Sequence, residues 1–185
     1  MNWNFNESTE TFEDNLVYVA SMANKGILDS GTTKSCASEF WLQNHKELLD
    51  EKTRKGIKTF DEKRNFRFGN NVRYPSLYRA EIPLRIGDIS SVMDVSIIKA
   101  NIPLLIGLND MKKFAFVIDC DRNLVKTKRT GETFELEKIN KHLALPLVSM
   151  TIDDEEDILI AVDDSMKEKN EKGKENTSYN GPSGS

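Results

Sequence analysis

The stretch Gly26-Ile27-Leu28-Asp29-Ser30-Gly31-Thr32-Thr33-Lys34-Ser35 constrains this chain more than any other. A largely apolar run from Leu16 to Leu28, with polar interruptions, stops at a carboxylate. A hydroxyl residue, a glycine and two more hydroxyl residues follow it. That order reads as a buried strand, Ile27-Leu28, running into a tight polar loop that starts at Asp29. Gly31 provides a point where the backbone can turn with no side chain in the way. The hydroxyls are suited to hydrogen-bond a carboxylate and hold it in one orientation. An acid delivered this way is a candidate catalytic group, because close neighbours move its proton affinity.

Composition removes most other chemistries. The 185 residues suit one domain with tails. A net charge of −4 gives no electrostatic case for binding nucleic acid. No run of eighteen apolar residues occurs and no secretion signal opens the chain, so neither a membrane span nor export is expected. Cys36 and Cys120 are far apart and lack metal-ligand spacing, which points to a reducing, cytoplasmic setting without disulfides. His45 and His142 are isolated, leaving no material for a zinc site or a Ser-His-Asp triad. No metal and no cofactor are expected.

Taken in order, residues 1–14 read as a flexible lead-in rich in Asn, Glu, Ser and Thr. Leu16 to Ala20 reads as a strand, with a turn at Lys25-Gly26. After the Asp loop, a helical stretch capped by Ser38 runs to about Lys55 and stops at Gly56, with Phe40, Trp41, Leu48 and Leu49 as packing residues. Phe66 to Tyr74 alternates apolar and polar residues around Gly69-Asn70-Asn71, the pattern of a hairpin. Ala80–Ile86 and Ser91–Ile98 read as strands joined at Gly87-Asp88, and Pro83 marks an edge or a bulge in the first. Leu104–Ile106 is a buried strand, followed by a short helix over Asn109–Phe114. Strands then follow at Phe116–Ile118, Asn123–Val125 and Thr133–Leu136, before a last apolar segment from Leu143 to Val148. From Thr151 the chain holds ten acids and four lysines, and residues 149–185 read as an acidic, largely disordered tail.

Leu28-Asp29-Ser30-Gly31-Thr32 resembles the Asp-Thr/Ser-Gly-Ala/Ser/Thr signature of aspartic peptidases. Asn101-Ile102-Pro103-Leu104-Leu105-Ile106-Gly107-Leu108-Asn109-Asp110-Met111 resembles the hydrophobic-hydrophobic-Gly segment and short helix that close each lobe of that family. Together they make the span from Leu16 to Leu147 similar to the retropepsin-like proteases of retroviruses and LTR retrotransposons, the retrotransposon polyproteins above all. The resemblance implies a mainly β, single-lobe, closed-barrel-like acid protease fold over residues 15–148. In it, 38–65 is an inserted segment and a short helix follows the Leu-Ile-Gly run. It implies a flap, folding over substrate, at Phe68, Gly69, Asn70 and Asn71. Asp29 would be catalytic, with Ser30, Gly31 and Thr32 supporting its loop and Leu105, Ile106 and Gly107 bracing it from below.

Such chemistry needs two carboxylates sharing one proton. The chain holds a single Asp-hydroxyl-Gly sequence and is too short for two lobes, so an enzyme of this kind must be a symmetric homodimer with one Asp29 from each subunit. The implied function is endopeptidase processing of a retrotransposon polyprotein, with an extended peptide as substrate and no nucleic-acid or membrane partner for this domain. Three other readings stand beside it. The same fold could be a catalytically silent dimerisation or peptide-binding module. Asp29-Ser30-Gly31 could be a capped turn before a helix. With Ser35 downstream, it also resembles the phosphorylated degradation signal read by a ubiquitin ligase, although such signals sit in exposed segments and Ile27-Leu28 is apolar.

Overall fold

The computed structural model describes residues 12–68 and 72–147, and its first element corrects the sequence reading. Leu16 to Ala20 lies in a helix, α1 (Phe12–Ser21), and not in a strand. A strand would put Val17 and Val19 on one face, yet Val17 is 69% exposed and Val19 is fully buried. Val19, Met22 and Ala23 instead form one buried stripe at helical spacing, carried into the turn after the helix. Residues 1–11 of the expected lead-in lie outside the described residues, and its last three belong to α1.

Two short buried strands flank the Asp loop, β1 (Lys25–Leu28) and β2 (Cys36–Ser38). The expected long helix is two, α2 (Glu39–Leu48) and α3 (Glu51–Lys55). Ser38 caps α2 by accepting the Trp41 N–H at 3.1 Å. Asp50 divides the stretch, because its carboxylate accepts the Thr53 N–H at 2.8 Å and so starts a second helix. Trp41 is fully buried and donates its indole N–H to the Met22 carbonyl at 2.8 Å, fastening α2 to the end of α1. Leu49 packs inward, whereas Leu48, expected to do the same, is 50% exposed.

Strands β3 (Lys58–Phe60), β4 (Asn65–Arg67), β5 (Arg73–Ile86) and β6 (Ile89–Ile98) follow. Strands β5 and β6 form a long hairpin through Gly87-Asp88, longer at both ends than the sequence pattern indicates. Pro83 pairs with Val92 on one side and lies beyond the reach of β3, which ends opposite Glu81. It thus sits at a local edge, where its missing N–H leaves no gap in a ladder. The bulge falls elsewhere, between Ser76 and Tyr78. Strand β7 (Leu104–Ile106) then enters the centre of the sheet and leads into α4 (Leu108–Lys113).

The remaining chain forms β8 (Phe116–Asp119), β9 (Leu124–Thr127), β10 (Thr133–Glu135), β11 (Glu137–Ile139) and β12 (His142–Pro146). Among the described residues the strands make one nine-stranded sheet, ordered β11-β12-β1-β7-β2-β6-β5-β3 with β4 beside β5, and one three-stranded sheet, β10-β9-β8. The fold is mainly β, as expected, but the large sheet is open and not closed-barrel-like. Its end strands are three residues each and carry Lys58, Glu137 and Lys138, short charged edges of the kind that do not pair. At its centre every residue of β7 is fully buried, which is why Leu104-Leu105-Ile106 reads as an unbroken apolar run. No helix among the described residues is long and apolar enough to cross a membrane. The acidic tail expected over residues 149–185 lies outside the described residues, as does Val148, the last residue of the expected apolar segment.

Candidate active site

Strand β7 lies between β1 and β2, parallel to β1, with Ile27 opposite Leu105 and Leu28 opposite Ile106. The chain from Asp29 to Ser35 must therefore cross the end of β7 to pass from one neighbour to the other. Three backbone hydrogen bonds fix the crossing: Asp29 N–H to the Ile106 carbonyl at 3.0 Å, Leu108 N–H to the Thr32 carbonyl at 2.8 Å, and Asn109 N–H to the Thr33 carbonyl at 3.0 Å. The last two cap the first N–H groups of α4, whose N-cap Gly107 has no side chain to do so. Gly107 lies directly beneath the crossing. A Cβ there would stand 2.6 Å from the Lys34 carbonyl carbon and 2.8 Å from the Ser35 nitrogen.

Asp29 is buried at the base of this loop, with the residue only 3% exposed. Gly31 N–H donates to Oδ1 at 2.9 Å and the Thr32 hydroxyl donates to Oδ2 at 2.8 Å. Each carboxylate oxygen thus takes one bond, and about two of its four acceptor positions stay open. A Cβ on Gly31 would stand 3.1 Å from Oδ1, so the glycine also keeps the carboxylate uncrowded. Ser30 and Gly31 are exposed at the outer side of the loop. Cys36 is fully buried nearby; burial, and secondarily the Asp29 carboxylate, push its thiol up, so it stays protonated.

Two polar contacts escape a reading of the sequence alone. Ser35 accepts the Gly107 N–H at 2.9 Å and donates to Asp110 Oδ2 at 2.5 Å, linking the end of the loop to α4 inside the core. Burial pushes the Asp110 carboxyl up, a tendency that the Ser35 hydroxyl opposes. The second contact is the Lys34–Glu62 ion pair at 3.0 Å, which ties the loop to the chain just before β4. The only signals were an acid beside the buried Leu104–Gly107 run and a cation inside the Asp loop.

The hairpin assigned to the flap has its base where the sequence puts it, with Phe66 opposite Tyr74 and Arg67 opposite Arg73. Phe68 packs its ring 5.5 Å from that of Tyr74. Gly69, Asn70 and Asn71 lie outside the described residues. The structure therefore gathers Asp29, Gly31, Thr32, Ile106 and Gly107 into one hydrogen-bonded unit, with Leu105 buried beneath it and Ser30 at its rim. Among the described residues no group of three His, Cys, Asp or Glu side chains is placed to hold a metal ion.

No family model matches the chain, and no curated protein does. Among solved structures it is similar to the retroviral protease-like domain of Ddi1 from Leishmania major, at 16% identity over 67% of this chain and 90% of that one, with a TM-score of 0.37.

Proposed function

We propose that the chain is an aspartic endopeptidase that works as a homodimer, with Asp29 of each subunit facing the other across a two-fold axis. One observation carries the reading: a buried carboxylate whose two oxygens each accept one bond from its own loop, at the end of a strand locked to β7. Two carboxyls brought this close cannot both ionise, so at one pH one is neutral and the other charged. The charged Asp29 takes a proton from a water as its oxygen attacks the scissile carbonyl carbon. The neutral one hydrogen-bonds the carbonyl oxygen and gives it a proton as the new C–O bond forms, so that a diol results. Collapse of the resulting diol breaks the C–N bond, and the amine nitrogen leaves with a proton from the dyad.

In this reading Ser30, exposed at the rim, bonds to the partner subunit's loop and braces the pair. Substrate lies extended under the β4–β5 hairpin, held by main-chain hydrogen bonds. Processing of a retrotransposon polyprotein is the finer proposal, and it rests on the sequence resemblance.

Sedimentation across a concentration series at pH 5 and pH 7, paired with cleavage of a mixed peptide library, tests this. A dimer that cuts peptides, and an Asp29→Asn dimer that does not, are the expected results. A chain that is monomeric at every concentration, or cleavage that survives Asp29→Asn, would overturn the proposal.

A further inference from the structure

We infer that the outer face of the β4–β5 hairpin, with the pocket beside β3, is a docking surface for an extended acidic peptide segment that carries one apolar anchor. Residues 58–79 hold six Lys or Arg and two acids, net +4, in a chain whose net charge is −4. Arg67 and Arg73 stand directly opposite one another in the ladder, so both side chains leave on the same face, and both are exposed. Like charges in that relation repel unless something neutralises them. Among the described residues no acid lies within ion-pair distance of either. Glu62 is engaged by Lys34 and Arg64.

The opposite face of the hairpin is already occupied. Phe66 is buried in the core, and Phe68 and Tyr74 pack against it. Four residues along β5 from Arg73, roughly 13 Å in extended chain, Leu77 is 43% exposed and lines a pocket with Thr59, Phe60, Asp61 and Tyr78. Phe60 is also 38% exposed there. Strand β3 ends its sheet, and its outer backbone edge has no partner strand among the described residues.

Charge sets the direction of the occupant. Asp61 at the pocket repels an acid, so the apolar anchor belongs there and the carboxylates belong at Arg67 and Arg73. A uniformly charged polyanion such as a nucleic acid would bring a phosphate against Asp61 at one end, whereas a peptide can place an uncharged side chain there, against Phe60 and Leu77, which favours a peptide. The surface does not depend on Asp29 chemistry.

The test uses the full chain with Asp29→Asn, so that no probe is cut. Fluorescence anisotropy would compare labelled peptides of about ten residues: a Glu-rich peptide with one Phe four residues from a Glu pair, its Gln counterpart, and the Glu-rich peptide lacking Phe. A single-stranded oligonucleotide of similar length completes the set. The expected result is about tenfold tighter binding of the first peptide than of its Gln counterpart, weakened by added salt. Arg67→Ser with Arg73→Ser should remove that advantage, and Leu77→Ser should remove the advantage of Phe. Equal binding of acidic and neutral peptides, no binding, tighter binding of the oligonucleotide, or indifference to the arginine pair would each overturn the inference.

Discussion

The main-chain N–H of Asp29 donates to the Ile106 carbonyl at 3.0 Å, one step beyond the last paired residue of β1. The acid is therefore held by the sheet before its side chain makes any contact. Its carboxylate is oriented by neighbours two and three residues away, Gly31 and Thr32, while its backbone is positioned by a residue 77 positions later in the chain. Local chemistry aims the group and the parallel ladder places it.

Gly107 is where that placement is most vulnerable. Its backbone is extended, with φ near −78°, so glycine is needed there for space and not for conformation. The atoms that a Cβ would strike, Lys34 C, Ser35 N and Thr32 O, are all backbone and cannot swing aside. Gly107→Ala should cost at least about 1–3 kcal/mol, read as a lower urea midpoint, and should abolish any activity that depends on the loop. At Gly131, with φ +82° and nothing within 4 Å, an alanine meets only the backbone penalty, about 1–2 kcal/mol. Equal tolerance of alanine at the two sites would mean that the crossing over β7 is looser than its geometry indicates.

Thr32→Val keeps the shape of the side chain and removes the hydroxyl that donates to Asp29 Oδ2. A hydrogen bond to a charged group is worth about 1.5–3 kcal/mol. Valine should lose a comparable amount in a denaturant melt, and Thr32→Ser should lose much less. Under the proposed mechanism peptide cleavage should fall in the same order. Valine behaving like serine in both measurements would remove Thr32 from the site.

The parts of this site that can be read from sequence are those whose cause is local. Ile27-Leu28, Leu104-Leu105-Ile106 and the glycines after them state strand, loop and close approach in their own composition. The reading of Leu16 to Ala20 failed because Val and Tyr favour strands, while the burial of Val19, Met22 and Ala23 on one side, with Val17 left in solvent, follows helical spacing. Strand β11 went unnoticed because Glu137-Lys138-Ile139 has no apolar alternation. It exists because Asn140 and Lys141 adopt φ of 47° and 67° and turn the chain back along β12. Whether the sheet closes depends on what its edges meet, and no window of sequence contains that. The Ser35–Asp110 pair, 75 residues apart, is hidden for the same reason.

His45 sets a limit on stability in acid. Its ring stacks on Trp41 at 4.8 Å, and Nδ1 sits 2.7 Å from the Ala23 carbonyl, to which it donates. Nε2 is buried with no hydrogen-bond partner among the described residues, so a proton there would be a stranded donor. Burial holds the imidazole below its ordinary value, with the Ala23 bond opposing it in part. A lowered native pKa contributes stability that is present above about 6.5 and is lost as pH falls through the native value. The melting temperature should drop between pH 7 and pH 5. His45→Phe, which keeps the stack and orphans the Ala23 carbonyl, should be less stable at pH 7 but show a flatter profile. An unchanged slope in that variant would assign the acid sensitivity to another group.

Asp110 works in the opposite direction. Burial raises its carboxyl, with Asp94 adding to the effect, while the Ser35 hydroxyl and the Lys113 and Lys34 ammonium groups offset only part of it. A raised native pKa contributes stability that is full below the unfolded value and is lost as pH rises through the native one. Burial therefore makes the neutral acid easier for the fold to hold at this position than the carboxylate. Asp110→Asn keeps the shape and leaves an oxygen to accept from Ser35, so at pH 7 it should match or exceed the parent in urea midpoint. As the pH is lowered and the parent's own carboxyl takes up its proton, that gain should shrink or reverse. Asp110→Ala should be worse than both across that range, because Ser35 then loses the acceptor that aligns its hydroxyl to receive the Gly107 N–H. If Asp110→Asn is as damaged as Asp110→Ala at pH 7, the charge itself is what anchors the loop, and burial is not the dominant influence on this group.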